Sequence, residues 1–324
     1  MQSRDKYMDR EKMQNYADEI RQFVMEHTED VLKNPRSFIR YPFIDPGSVY
    51  DGNVWDWDTY WSVYGFFNLA DRYPDDTTKV RLIEHAKGNI HNFMDHQLPD
   101  GYIPMMIEVA DWPEPYLNMK HKEGILMNMH KPFLCQQIVL ISDFIGDYSW
   151  CSQYFANLEK YFECYDKNYY FENCGLYVWC DDIMIGMDND PATFGRPKFS
   201  TANIYLNSFM CMELEAMGKI CRTFGKEKKG RILSRKEKQS WLKRYRMNAG
   251  IREINFSTRW MWILKQENST GFMKGLVFSG KHFQSRFGSG RASFRCMQDL
   301  RQKSKQKLWY IIYLTRRHLL LYTE

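Results

Sequence analysis

Within the ten residues GNVWDWDTYW, Gly52 to Trp61, stand three tryptophans, a tyrosine and two aspartates. Carboxyl oxygens accept hydrogen bonds and indole faces pack on apolar surface. Interleaved, they suit a ligand that is apolar on its faces and hydroxylated on its edges. A pyranose sugar is such a ligand. The rival reading is an ordinary helical bundle whose aromatics are core, but carboxylates are expensive to bury without a partner. Tyr60 and Trp61 stand open between lining a site and filling a core.

Two further stretches carry residues able to do chemistry. HKPFLCQ (130–136) sets Lys131 before a proline, either as polar lining or as a solvated charge at a helix start. GLYVWCDDIMIGMDNDPATFGRP (175–197) places Asp188, Asn189 and Asp190 between Gly186 and Pro191. His27, His85, His91, His96 and His121 show no ligand spacing, and the eight cysteines include no CxxC. No metal and no other cofactor is expected.

The elements that must position these stretches read as helices. Apolar residues at helical spacing predict helices over Asp18–Leu32 (Ile20, Phe23, Val24, Val31), Thr59–Leu69 and Thr77–Asp95. Proline suits a first helical turn, so Pro132 opens a helix through Ile145. Helices over Ser149–Tyr165 and Thr201–Phe224 follow, the latter carrying Leu206, Phe209, Met210, Leu214, Met217, Ile220 and Cys221 on one stripe. RYPFIDPGSVYDGN and residues 175–199 read as loops. With almost no period-2 alternation and no Gly-rich phosphate loop, the fold class is all-α with long functional loops.

In order and wording, PGSVYDGNVWDWDTYW (46–61), HKPFLCQ and GMDNDP resemble the inverting α-glycosidases with a six-hairpin (α/α)6 barrel. These comprise glycoside hydrolase family 63, its mannosylglycerate-hydrolase-like members and, more distantly, the trehalases. The resemblance covers about residues 35–226 and implies the N-terminal half of such a barrel. It implies that Asp188 is the general acid, and that Trp55, Asp56, Trp57 and Asp58 shape the subsite for the non-reducing sugar. Asp56 and Asp58 would accept hydrogen bonds from sugar hydroxyls while a tryptophan face stacks on the ring. Lys131 would be lining, and Asn189 would orient Asp188 or bind a hydroxyl. An acid role needs a raised pKa, which nearby indoles would supply by desolvation. The substrate would be an α-linked glucoside or mannoside. Asp190 stands where the family usually has Ser, and Ala192 where it often has Arg. Arg196 either substitutes for that arginine or makes a surface salt bridge. Ser48-Val49 after Pro46-Gly47 departs from the trehalase motif, which ranks trehalose lower.

The net charge of +5 conceals two halves. Residues 1–225 hold 21 Lys+Arg against 34 Asp+Glu, whereas residues 226–324 hold 24 against 6. From residue 228 the text is basic and patternless, and nothing in it matches the family's late catalytic glutamate. Back-translated residues 230–324, read from the third base of each codon, permit segments like the family's continuation. Some positions are nearly forced: Met273-Lys274 requires Glu, and Met297-Gln298 requires Ala. The codons of Lys226-Glu227-Lys228-Lys229 can form an adenine run where a base slips. Residues 1–227 therefore read as a half barrel, and 228–324 as a poorly ordered, out-of-frame tail. Such a chain would lack the base and be inactive, its helix faces exposed. A non-catalytic sugar-binding fragment is the alternative, and a basic nucleic-acid binder a third reading. No nucleic-acid or membrane partner is expected. The start MQSRDKYMDREKMQ lacks an apolar signal core and no apolar run reaches membrane length, which suits a reducing cytoplasm.

Overall fold

The computed structural model describes residues 10–47, 50–187, 190–226 and 262–263, and within them helical periodicity is realised as helices. In chain order these are α1 (Arg10–Glu26), α2 (Thr28–Val31), α3 (Asp56–Leu69), α4 (Asp76–Asp95), α5 (Tyr116–Lys122), α6 (Leu134–Ile145), α7 (Phe155–Tyr169) and α8 (Ile204–Thr223). Strands are two-residue antiparallel pairs: β1 (Leu32–Lys33) with β2 (Phe43–Ile44), β3 (Val54–Trp55) with β4 (Met106–Ile107), β5 (Tyr170–Phe171) with β6 (Leu176–Tyr177), and β7 (Thr201–Ala202) with β8 (Trp262–Ile263). Such pairs are too short to show alternation, which is why the sequence did not signal them. The class is all-α. The expected tail from 228 lies, apart from β8, outside the described residues. Among the described residues no helix is long and apolar enough to cross a membrane.

The core forms where α6 packs on α4 and α8, and α3 on α4 and α6. Val63 and Phe67 of α3, Ile90 and Phe93 of α4, Ile138 and Ile141 of α6, and Leu206, Met210 and Met217 of α8 meet there. Each large apolar side chain buried this way contributes about 1.5–3 kcal/mol. An extended segment, residues 40–44, lies along α4, and α4 is cut to receive it. A Cβ on Gly88 would come within 1.8 Å of the Pro42 carbonyl oxygen. Asn89 accepts from the Ile44 N–H, and Asn92 accepts from those of Arg40 and Tyr41. These bonds satisfy main-chain groups that burial would otherwise leave unpaired.

Several boundaries shift for local reasons. The helix expected over 18–32 begins at Arg10 and breaks at His27, and Ile20 and Phe23 are 65% and 61% exposed while Val24 and Val31 pack on the core. The helix expected from Pro132 starts at Leu134, because the Phe133 N–H turns back to the Lys131 carbonyl at 2.6 Å. Ser149–Tyr154 is a 3-10 stretch leading into α7, which runs four residues beyond the expected Tyr165. Helix α5 was not foreseen.

Candidate functional site

The loop that carries the tryptophans is folded around a buried carboxyl. Asp45 accepts from the N–H groups of Gly47 and Gly52, both at 2.9 Å, closing the turn that precedes β3. Burial pushes the Asp45 carboxyl up from the ordinary aspartate range. Both glycines hold left-handed φ angles of 74° and 88°, which side chains resist. After this turn the chain forms β3 and enters α3 at Asp56, so Trp55, Trp57 and Asp58 emerge at one helix N-terminus.

Asp56 does a different job from the one expected of it. Its side chain is fully buried, and both oxygens are engaged: Oδ1 with the Lys131 ammonium at 2.7 Å, Oδ2 with the Lys131 N–H at 2.6 Å. The Trp57 N–H also donates to Oδ1 at 2.6 Å. A carboxyl so occupied has little left to offer a sugar hydroxyl. The solvated reading of Lys131 is likewise replaced, since its side chain is 2% exposed. Asp56 and Lys131 form a buried ion pair joining two stretches 75 residues apart. Removing one partner of such a pair costs far more than the pair contributes.

A ladder of tyrosines holds Lys131 from behind. Tyr161, Tyr165 and Tyr169 stand at successive turns of α7, all buried, and Tyr102 joins them. Their hydroxyls donate to the carbonyls of Lys131 (Tyr161, 2.9 Å), His130 (Tyr165, 2.8 Å), Met127 (Tyr169) and Asn128 (Tyr102, 3.3 Å). The non-helical segment 127–131 is thereby satisfied inside the core. Desolvation lowers the pKa of fully buried His130 to about 4. Asn128 extends the framework: its Nδ2 donates to the carbonyls of Asp181 and Ile183, and its Oδ1 accepts from the Cys180 N–H. That binds the lysine segment to the loop leading to GMDNDP.

A cavity of about 340 Å³ opens where these segments converge. Tyr50, Trp55, Trp57 and Asp58 line it from the first stretch, Lys131 from the second, and Met184 and Gly186 from the third. Gly186 lies flat on Trp57. A Cβ there would fall 2.3–2.7 Å from the indole carbons, and its φ of 80° independently requires glycine. The Trp57 face near Gly186 is therefore covered by backbone, while other rings meet it edgewise: Trp61 at 5.8 Å, Phe133 at 5.6 Å and Phe209 at 6.0 Å. Tyr60 is core, stacked on Phe133 at 4.5 Å, whereas Trp61 is 42% exposed. Asp188 and Asn189 lie outside the described residues. Just beyond them, Asp190 accepts from the Ala192 N–H at 3.0 Å and from Asn203 Nδ2 at 2.9 Å, pinning the loop to the start of α8.

Glu213 was missed in the sequence because it sits in the apolar text of α8. It is fully buried and accepts from the N–H groups of Cys135 and Gln136 at 2.6 and 3.1 Å, capping α6 from a neighbouring helix. Burial raises its carboxyl to about 7. Among the described residues no group of His, Cys, Asp and Glu is arranged to hold a metal ion.

No protein-family profile matches the chain, and no curated protein does. Among solved structures, the chain is similar to a family-63 glycoside hydrolase, a mannosylglycerate hydrolase from Thermus thermophilus in complex with glucose. The identity is 14% and the TM-score 0.48, over 74% of this chain and 66% of that one. It is also similar to an uncharacterized conserved protein from the same organism, at 13% identity and TM-score 0.48, over 69% and 64%. The chain thus spans just under two thirds of the length of each.

Proposed function

We propose that residues 1–227 are the N-terminal half of an (α/α)6-barrel catalytic domain of an inverting α-glycosidase, acting on an α-linked glucoside or mannoside. The observation that carries this reading is the convergence of three distant segments on one cavity. Residues 50–58, 131 and 184–186 supply two indoles, a carboxyl and an ammonium around about 340 Å³, a volume at the small end of the range for ligand sites. One pyranose is the class of occupant that such a lining suits. Trp55 and Asp58 contact its ring and hydroxyls, and Lys131, held by Asp56, presents a hydrogen-bond donor.

Inversion needs one carboxylic acid to protonate the leaving oxygen and one carboxylate to activate water on the opposite face of the sugar. Asp188 takes the acid role, two residues along the chain from the cavity-lining Gly186. Asn189 orients it or binds a hydroxyl. The base motif is missing from the text after residue 228, which reads as out of frame, so the 324-residue chain binds sugar without turning it over. Resequencing the gene across codons 220–250 tests the frame. Titration of the full chain with methyl α-glucoside and methyl α-mannoside, followed by tryptophan fluorescence, tests the site. Binding without hydrolysis is expected from this chain. Hydrolysis abolished by Asp188→Asn is expected once the frame is corrected. Turnover by the 324-residue chain would overturn its assignment as inactive, and absence of binding would overturn the sugar reading. If the corrected chain binds without turnover, the site is a non-catalytic sugar-binding module.

A further inference from the structure

Two buried polar atoms near the start of α3 have no hydrogen-bond partner: Nε1 of Trp55, a residue that lines the cavity, and Oε2 of Glu108, a residue just past β4. One is a donor only, the other an acceptor. Buried groups of this kind are nearly always paired in folded proteins, by protein or by a small polar molecule.

The register of the strand pair, continued by one residue, sets the two side chains on one face. In β3 and β4, Val54 lies opposite Ile107 and Trp55 opposite Met106. Val54 and Ile107 are both fully buried, so they face the core, and Trp55 and Met106 share the other face. Alternation carries Glu108 onto that same face, a diagonal neighbour of Trp55, at roughly 7–8 Å between main chains and within reach of long side chains. Asn53 Oδ1 holds the Val109 N–H at 3.2 Å, keeping the strands together past the ladder. The Tyr116 N–H donates to the other Glu108 oxygen, Oε1, at 2.6 Å, which fixes the carboxyl and leaves Oε2 over. Trp55 itself lines the cavity, and Tyr50, 51% exposed at its rim, packs edgewise on the indole at 5.7 Å.

A group that accepts from an indole N–H and donates to a carboxyl must itself be both acceptor and donor. A hydroxyl is the simplest such group, and two hydrogen bonds of about 2.8 Å each let it bridge atoms up to about 5.6 Å apart. We infer that Glu108 is a specificity-determining residue of the cavity, which with Trp55 Nε1 holds one hydroxyl of the bound sugar after Tyr50 swings aside. This rests on the sugar-site reading above and extends it to a residue outside the three sequence stretches.

The test uses the full chain, tryptophan fluorescence, and the monodeoxy analogues of methyl α-glucoside and methyl α-mannoside. The unsubstituted protein should bind one deoxy analogue about ten-fold more weakly than its parent. Glu108→Gln keeps an acceptor for Tyr116 but turns a donor toward the indole. It should weaken the parent sugar about ten-fold and abolish discrimination against that one analogue, leaving the others unchanged. Trp55→Phe, which keeps the ring and removes the N–H, should do the same. Failure of the unsubstituted chain to bind any parent glycoside would overturn the sugar-site reading and this inference with it. Binding of the parents with unchanged discrimination in Glu108→Gln would overturn the inference alone. So would variants that lower thermal stability without altering affinity, since that marks a structural water. Equal binding of every deoxy analogue by the unsubstituted protein refutes the bridge without any variant.

Discussion

Glu213 offers a test of how the buried framework responds to pH. Its carboxyl caps α6, whose first turn follows directly on Lys131-Pro132-Phe133, and burial raises its pKa from 4.5 to about 7. A raised acid means that the folded chain holds the proton more tightly than the unfolded chain. Its contribution to stability is therefore greatest below about 4.5, declines as pH rises toward 7, and is flat beyond. At about 1.4 kcal/mol per decade of proton affinity, the difference across that range is roughly 3 kcal/mol. His130 works the other way. Its pKa is depressed to about 4, so stability is lost as pH falls from 6.5 to about 4. The two slopes oppose each other between about 4.5 and 6.5, and the parent protein should show a muted profile there. Glu213→Gln removes one slope only. In urea unfolding at pH 5, 6, 7 and 8, followed by tryptophan fluorescence, the gap between parent and variant should move by roughly 2.5 kcal/mol in favour of the variant from pH 5 to pH 8. A gap independent of pH would refute the argument that burial of this carboxyl governs its protonation.

Asp56→Asn should lower stability by roughly 3–5 kcal/mol, because it strands the Lys131 ammonium in the core; a melting temperature within a degree or two of the parent would contradict the buried pair. Gly186→Ala should destabilise the 184–187 loop and redden or broaden tryptophan emission, since the new methyl group must displace the Trp57 indole or the backbone; an unchanged spectrum and melting temperature would argue against that contact. Tyr165→Phe should cost about 0.5–1.5 kcal/mol, the worth of its bond to the His130 carbonyl, which keeps a second bond from the Tyr161 hydroxyl at 3.2 Å, while loss of the Tyr148 hydroxyl, which donates to Asp143 at an exposed site, in Tyr148→Phe should change little. Equal effects of the two tyrosine changes in parallel thermal melts would count against the ladder.

The sequence by itself determined the all-α class, most of the long helices and the three stretches that line the cavity. Those are local properties: period, turn residues, and side chains that are costly to bury unless they have work to do. The capping of a helix by a distant group, as Glu213 caps α6, was not legible locally. The division of labour between the two aspartates was also beyond local reading. Asp56 and Asp58 are two residues apart on one helix turn, yet one is buried against Lys131 and the other lines the cavity. Nothing in WDWD distinguishes them, because the difference arises from a lysine 75 positions away. The same holds for the tyrosines of α7. Two of them fell inside the expected helix and Tyr169 beyond its end, and only the tertiary structure aligns their hydroxyls with the carbonyls of a non-helical segment.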